Sequence, residues 1–210
     1  ANCCEQSIEI DTRADFHHEA TGLGRFHKKG VPTELALSMP FTATPSYLLP
    51  ESVAKFNLSI ETGWEGQNGV CFLSERSDGL HSELIIHKQG YDCVHFELLY
   101  SGDCIKECEG VRNEYILDKK GLTIKTKLIN PAVNKIYFSL PLFFTNGKDC
   151  GSIFQSKNTV SVKMFSNEYR VMIDGDWHIT EEIIANRNGQ YRYAIISAQT
   201  DELTVTLKLN

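Results

Sequence analysis

The chain has 210 residues, of which 41% are hydrophobic and 23% charged, and its formal net charge is −6. These proportions are typical of a globular domain, and they exclude a disordered or collagen-like chain. The acidic balance argues against nucleic acid as a partner, and no apolar run reaches the roughly 18 residues of a membrane helix. We therefore expect one soluble domain over residues 1–210.

The first residue is Ala1, without a preceding Met and without a basic-then-apolar signal segment. Such a start suggests that a preceding region has been removed. We therefore expect a fragment of a longer protein, with part of its functional machinery outside these residues.

Residues 11–51 differ in composition from the rest of the chain. They hold four of the six prolines, three glycines and three histidines. Because proline cannot donate to a sheet ladder, this stretch is not expected to form a run of central strands. A long irregular segment on a rigid β scaffold is where function tends to lie.

The remaining chain alternates apolar and polar residues with a period of two, which is typical of strands with one buried face. The clearest runs are 56–61, 122–128, 160–164, 169–173 and 203–209. Residues 179–186 are rich in β-branched side chains and are predicted to form a strand or a short helical turn. The turns between runs are marked by Asn-Gly and Asp-Gly dipeptides at 68–69, 78–79, 146–147, 174–175 and 188–189.

The pattern predicts an all-β fold, a large antiparallel β-sandwich of supersandwich-like size. The irregular segment rich in His, Pro and Gly would lie at its N-terminal side.

Seven cysteines are an odd number, without the density of a disulfide scaffold. Free thiols in a reducing compartment are the favoured interpretation, which slightly favours a cytoplasmic over a secreted location. A bridge between Cys104 and Cys108 in a secreted protein is the alternative.

Residues 15–34 concentrate three histidines with carboxylates and cations. Imidazole and carboxylate are zinc ligands, and histidine titrates near neutral pH, so metal binding and proton transfer are both chemically open. Arg25 and Lys28 could pair with a sugar carboxylate or sulfate. The alternative is a polar loop whose charged side chains are simply solvated.

A second group of polar residues follows one parity of two neighbouring predicted strands. If the strands pair across the turn 88–92, His87 and His95 are neighbours on the face that also carries His81, Glu83 and Glu97. This face could hold a metal or an acid/base pair, but it is more simply the solvent face of a hairpin. The opposite parity is apolar and is expected to face the core; it carries Leu84, Ile86, Val94, Phe96 and Leu98.

Trp64 and Trp177 both stand in turns that are rich in glycine and acidic residues. Aromatic rings are common platforms for sugar rings, so both residues are candidates for substrate binding. At least one of them is expected to lie in the core instead.

The segment 15–34 resembles the signature of the C-terminal β-sandwich domain of heparinase II/III-like polysaccharide lyases. That signature runs roughly H-x-H-x-D-x-G-S-F, then a glycine, then an aspartate that ends a strand. Anchored on Gly22, its second histidine falls on His18, its later glycine on Gly30 and its acid on Glu34. The first histidine position holds a phenylalanine, so only the adjacent His17 could take that role. The aspartate position holds an alanine, and a glutamate replaces the strand-end acid.

The resemblance implies a structural zinc ion held by His18, Glu34 and a downstream histidine, for which His81 is the candidate. It also implies that His17 faces the substrate cleft as a catalytic residue. In that family the main catalytic groups belong to an α/α-toroid domain that precedes the β-sandwich. The resemblance thus implies a C-terminal fragment whose toroid partner lies outside this sequence.

The first function hypothesis is a β-sandwich module that forms one wall of an acidic-polysaccharide cleft in a lyase acting by β-elimination at uronic acids. Arg25, Lys28, Trp64 and Trp177 would contact the oligo- or polysaccharide, and the isolated chain would have little activity. The second hypothesis is a non-catalytic domain that binds carbohydrate or packs between other domains.

Overall fold

The computed structural model describes residues 1–13, 20–35, 61–76, 78–186 and 188–210. Within these ranges the chain is almost entirely β, with a short 3-10 turn at Leu73–Glu75. None of the helical structure in the described ranges is long and apolar enough to cross a membrane. His17, His18 and nearly all of the predicted run 56–61 lie outside the described residues.

The described strands are numbered in chain order. They are β1 (Asn2–Cys3), β2 (Gln6–Asp11), β3 (Gly22–Lys28), β4 (Glu61–Gly66), β5 (Gly69–Phe72), β6 (His81–Gln89), β7 (Cys93–Ser101), β8 (Gly110–Asp118), β9 (Gly121–Ile129), β10 (Ile136–Thr145), β11 (Ser152–Ser156), β12 (Thr159–Met164), β13 (Asn167–Ile173), β14 (Asp176–Asn186), β15 (Gly189–Ala198) and β16 (Glu202–Leu209).

These strands form three antiparallel sheets. The large sheet has eight strands in the order β11-β12-β13-β16-β9-β8-β7-β6, and the second sheet has five in the order β14-β15-β10-β4-β5. A small sheet holds three strands in the order β1-β2-β3. The predicted all-β sandwich is confirmed, and the runs 122–128, 160–164, 169–173 and 203–209 all lie in strands of the large sheet.

Among the described residues, a hydrophobic core joins the large and second sheets and also includes Cys3, Ile8, Leu23 and Phe26 of the small sheet. On β9 and β16 the apolar residues of the alternating pattern are buried and the polar residues between them are partly exposed, because successive side chains of a strand point to opposite faces. Strand β10 is buried at every position from 136 to 143, so the centre of the second sheet is covered on both faces.

A small polar cluster crosses this core. Thr62 of the second sheet and Thr126 of the large sheet both reach Oδ1 of Asn113, at 3.0 and 2.7 Å, and their hydroxyl oxygens lie 2.7 Å apart. All three residues are fully buried. The cluster therefore ties the two sheets together by hydrogen bonds where water has no access.

The N-terminal segment is more regular than the composition predicts. Residues 22–28 form strand β3, which pairs with β2 in the small sheet and buries Leu23 and Phe26 completely. The prolines of this segment all lie beyond residue 31, so the argument from missing ladder donors does not reach β3.

The turn dipeptides do not all close hairpins. Those at 68–69 and 188–189 join paired strands, whereas 174–175 links β13 of the large sheet to β14 of the second sheet. The dipeptide at 78–79 leads into the edge strand β6. A tight-turn sequence fixes a local change of direction, but it does not specify which sheet receives the next strand.

Candidate functional site

A groove of about 990 Å³ lies between the small sheet and the β6–β7 edge of the large sheet. Its first wall comes from β1, β2 and the end of β3, and its second wall is the apolar face of β6 and β7. The turn that joins β6 to β7 lines the groove as well. The groove therefore joins the two regions that the sequence singled out, residues 15–34 and the hairpin of residues 81–101.

The floor of this groove is apolar. Val94, Phe96 and Leu98 of β7 are buried, but on β6 Leu84 is 56% exposed and Ile86 is 59% exposed. The prediction that these two β6 residues face a closed core is therefore wrong. Strand β6 is the edge of the large sheet, and the groove separates its apolar face from the small sheet.

Polar and aromatic groups stand around the apolar floor. His27 lies at the end of β3 and Lys29 directly after it, while Gln89 ends β6 and Tyr91 lies in the β6–β7 turn. Tyr91 is fully exposed. A lysine, an imidazole, an amide and an accessible aromatic ring beside an apolar surface are the groups that carbohydrate sites use.

Sequence reasoning missed Gln89 and Tyr91 because they fall in a turn between two predicted strands. The usable signal was an aromatic residue in an otherwise polar turn, where a core role is not expected.

The two cations predicted to hold an anion have protein partners. Nη1 of Arg25 lies 3.2 Å from Oε1 of Glu9 on the neighbouring strand, and both side chains are solvent-accessible. Nζ of Lys28 donates to the carbonyl oxygen of Leu209 at 2.9 Å. Both residues lie on β3, but neither lines the groove.

The two tryptophans lie in different environments. Trp64 is 1% exposed, and its Nε1–H donates to Oε2 of Glu107 at 3.1 Å. A ring buried in the core has no face for a sugar, so the structure removes Trp64 from the predicted substrate contacts. Trp177 is half-buried on β14, and its Nε1–H donates to the carbonyl oxygen of Lys157 at 3.2 Å.

The predicted zinc ligands are placed apart. Oε1 of Glu34 accepts a hydrogen bond from Nδ2 of Asn146 at 3.0 Å, beside the loop between β10 and β11. His81 is exposed at the start of β6, and β6 and β11 are opposite edges of the large sheet. A zinc ion shared by Glu34 and His81 does not fit this placement. Among the described residues no group of three or more His, Cys, Asp or Glu side chains could hold a metal ion.

The predicted pairing of His87 and His95 is confirmed. Strands β6 and β7 form an antiparallel hairpin with a register shift between residues 86 and 88, and the two imidazole rings lie 4.6 Å apart. Nε2 of His87 lies 3.0 Å from Oε1 of Glu97, and Nε2 of His95 lies 2.7 Å from Oε1 of Glu114.

Each of these carboxylates also meets a second basic group. Nε of Arg112 lies 3.3 Å from Glu97, and Nζ of Lys125 lies 3.2 Å from Glu114. Partial burial on its own would raise the pKa of Glu114, but hydrogen bonds from Lys125 and His95 outweigh it and hold that pKa below its ordinary value. The two histidines, the two carboxylates, Arg112 and Lys125 thus form a polar network on the outer face of the large sheet, opposite to the groove side.

A third cluster of titratable groups joins β4 to β10. The hydroxyl of Tyr137 donates to Oε2 of Glu65 at 2.6 Å, and Nζ of Lys135 lies 3.1 Å from the same oxygen. These two hydrogen bonds lower the pKa of Glu65, and burial, followed by the bond to Glu65, raises the pKa of Tyr137.

Comparison with known proteins gives similarity at the level of fold. No protein family and no curated protein matches the sequence. A heparan sulfate lyase, HepC, from Pedobacter heparinus is similar in structure over 97% of this chain, with a TM-score of 0.61 and 11% sequence identity. A GH36 α-galactosidase, AgaA, from Geobacillus stearothermophilus is similar over 99% of this chain, with a TM-score of 0.45 and 10% identity.

This chain covers 32% of the heparan sulfate lyase chain and 40% of the α-galactosidase chain. The chain therefore spans about a third of the length of the lyase it matches. Its β-sandwich has the fold of part of a heparan sulfate lyase, as the resemblance in its N-terminal segment predicted.

Proposed function

We propose that the chain is the β-sandwich domain of a carbohydrate-active enzyme of the heparinase II/III-like lyase type. The groove between β3 and the β6–β7 hairpin would form one wall of a cleft for an acidic oligo- or polysaccharide. The observation that carries the proposal is the fold similarity to a heparan sulfate lyase over 97% of the chain. The position of the groove supports it, because the segment with the family-like signature, residues 15–34, includes β3, and the end of β3 lines the groove.

The lining of the groove suits such a ligand. Tyr91 offers an open ring face on which a sugar ring can stack, and Lys29 and His27 can pair with a carboxylate or sulfate group. The amide of Gln89 can donate to and accept from hydroxyl groups. The apolar floor can receive the C–H faces of the sugar rings.

In a lyase of this type, the proton beside the uronate carboxylate is abstracted and the 4-linked sugar is eliminated. The role we assign to this domain is binding and orientation, with His17 helping to neutralise the carboxylate and the main catalytic groups supplied by a preceding toroid domain. The isolated chain is then expected to bind the polysaccharide and to show little activity.

The alternative is a domain without a catalytic role, which binds carbohydrate or packs between other domains. One observation favours it: Arg25 and Lys28 are bonded within the protein, and Trp64 is buried. Three of the four substrate contacts expected from sequence are thus occupied or inaccessible.

Isothermal titration with heparan sulfate oligosaccharides tests the proposed groove, with a neutral oligosaccharide of equal length as the reference ligand. Tyr91→Ala combined with Lys29→Ala should weaken binding about tenfold or more, since a lost stacking contact and a lost ion pair are each worth roughly 1 kcal/mol. Phe165→Ala is the matched control, because Phe165 is also a highly exposed aromatic but lies in the β12–β13 turn. Equal affinity of all three proteins, or a preference for the neutral ligand, would refute the groove as the acidic-glycan site.

A further inference from the structure

Two adjacent thiols meet at the mouth of the groove. Cys3 ends β1 and Cys4 begins the turn into β2, and their Sγ atoms lie 3.3 Å apart. Cys3 is 5% exposed, whereas Cys4 is open to solvent. Both residues line the groove.

The backbone of the turn explains this contact. In a strand, successive side chains point to opposite faces, so neighbouring cysteines would be held apart. Cys4 and Glu5 instead have φ values of 52° and 64°, as in the tight turn of a β-hairpin. This left-handed backbone brings the Cys4 side chain to the side of Cys3.

The same geometry disfavours oxidation of the pair. Consecutive Cα atoms are about 3.8 Å apart, which is shorter than the roughly 4.4 to 6.8 Å that unstrained disulfides span. Both residues are free thiols in the structure. The pair is therefore suited to remain a dithiol and to act as two sulfur ligands.

The surroundings of the pair are rich in oxygen. The carbonyl oxygen of Tyr91 lies 3.4 Å from Sγ of Cys3 and 3.6 Å from Sγ of Cys4, and the carbonyl oxygen of Asp92 lies 3.8 Å from Sγ of Cys4. The thiols donate to these carbonyl oxygens, and a cation bound to both sulfurs would take the place of the thiol protons as the positive group beside the carbonyl dipoles.

We propose that Cys3 and Cys4 form a two-thiolate site for a thiophilic divalent cation, such as zinc or cadmium, at the mouth of the groove. On binding, each thiol releases its proton to solvent and each sulfur gives one electron pair to the ion, without oxidation or reduction. Two thiolates neutralise a divalent ion, so the bound site carries no more charge than the two thiols did. A monovalent copper ion would leave one negative charge against the carbonyl oxygens.

The required movement is small. Two sulfurs at about 2.3 Å from a tetrahedral zinc ion are roughly 3.8 Å apart, so the thiols need to separate by about half an ångström. The carbonyl oxygen of Tyr91 and water are available for the remaining positions. This site is separate from the zinc site that the family resemblance implies, because it uses neither His18 nor Glu34.

Titration of the reduced chain with cadmium chloride tests the proposal, because cadmium–thiolate bonds absorb in the ultraviolet in proportion to their number. One ion per chain with the absorbance of two thiolates is expected in the wild type, and its loss is expected in Cys3→Ser and in Cys4→Ser. Cys150→Ser is the matched control, because Cys150 is also an exposed thiol, and it should bind as the wild type does.

Unchanged cadmium absorbance in Cys4→Ser would overturn the proposal. Since Cys4 is exposed, this variant is expected to fold, and its far-ultraviolet circular dichroism checks that it does. Binding in the wild type only above about 1 mM cadmium would also overturn it, since two adjacent sulfur ligands should bind a thiophilic ion more tightly than a single exposed thiol does. Glycan binding plays no part in this experiment, so its outcome is independent of the proposed function.

Discussion

Replacing Asn113 with alanine should destabilise the β-sandwich by about 2 to 4 kcal/mol. The side-chain oxygen of Asn113 is the shared acceptor for the hydroxyls of Thr62 and Thr126, and all three residues are fully buried. Removal of this acceptor leaves at least one buried hydroxyl in poorer hydrogen bonding, at roughly 1 to 3 kcal/mol. The space left by the carboxamide adds a further cost of about 1 kcal/mol.

Urea unfolding followed by tryptophan fluorescence measures this loss. A triple variant, with Thr62→Val, Asn113→Leu and Thr126→Val, separates hydrogen bonding from packing because it removes all the polar groups together. An apolar cluster of similar shape should regain at least half of the lost stability. A loss under about 0.5 kcal/mol in Asn113→Ala, or a triple variant less stable than the single one, would refute the reasoning.

Two further predictions concern ion pairing and turn geometry. Because the pKa of Glu114 is lower in the folded chain than its ordinary value, its contribution to stability is present above that ordinary value and is lost as pH falls below it. Glu114→Gln should therefore cost about 1 kcal/mol at pH 7 and progressively less as pH falls through the folded-state pKa of Glu114, as measured by urea unfolding over a series of acidic pH values. Gly102 has a φ of 137°, and a Cβ there would collide with the backbone oxygen of Gly79. Gly102→Ala should lower stability by about 2 to 4 kcal/mol, whereas Gly147→Ala, in open space at a φ of 85°, should cost about 1 kcal/mol in thermal unfolding.

Much of the fold could be predicted because its signals are local. Strands β9 and β16 alternate apolar and polar residues without interruption, and burial of one face follows from that pattern. The close approach of His87 and His95 was also predictable, because a short turn between two strands fixes the register of the strands within one or two residues.

The remaining features depend on residues that are distant in sequence. The apolar residues of β6 alternate with polar ones in the same way as those of β7, yet Leu84 is exposed. Strand β6 is the edge of its sheet, and the groove separates its apolar face from the small sheet. The carboxylate of Glu34 accepts a hydrogen bond from Asn146, which lies 112 residues away in the sequence. Arg25 and Lys28 gain their partners only when β3 pairs with β2 and approaches the end of β16.

The burial of Trp64 is a similar case. Its neighbours in sequence are glycines and acidic residues, which are typical of an exposed turn, but its strand β4 pairs with the central strand β10 of the second sheet. Local composition therefore indicated exposure, while sheet order determines burial.

Amide chemical-shift mapping of the isotope-labelled chain during titration with a heparan sulfate oligosaccharide tests the central claim most directly. The proposed cleft wall predicts the largest shifts at residues 27–29, around the end of β3, and at residues 89–91, around the end of β6, with saturation as the ligand concentration rises. The absence of shifts at millimolar oligosaccharide, or shifts confined to the β11–β13 edge of the large sheet, would contradict it.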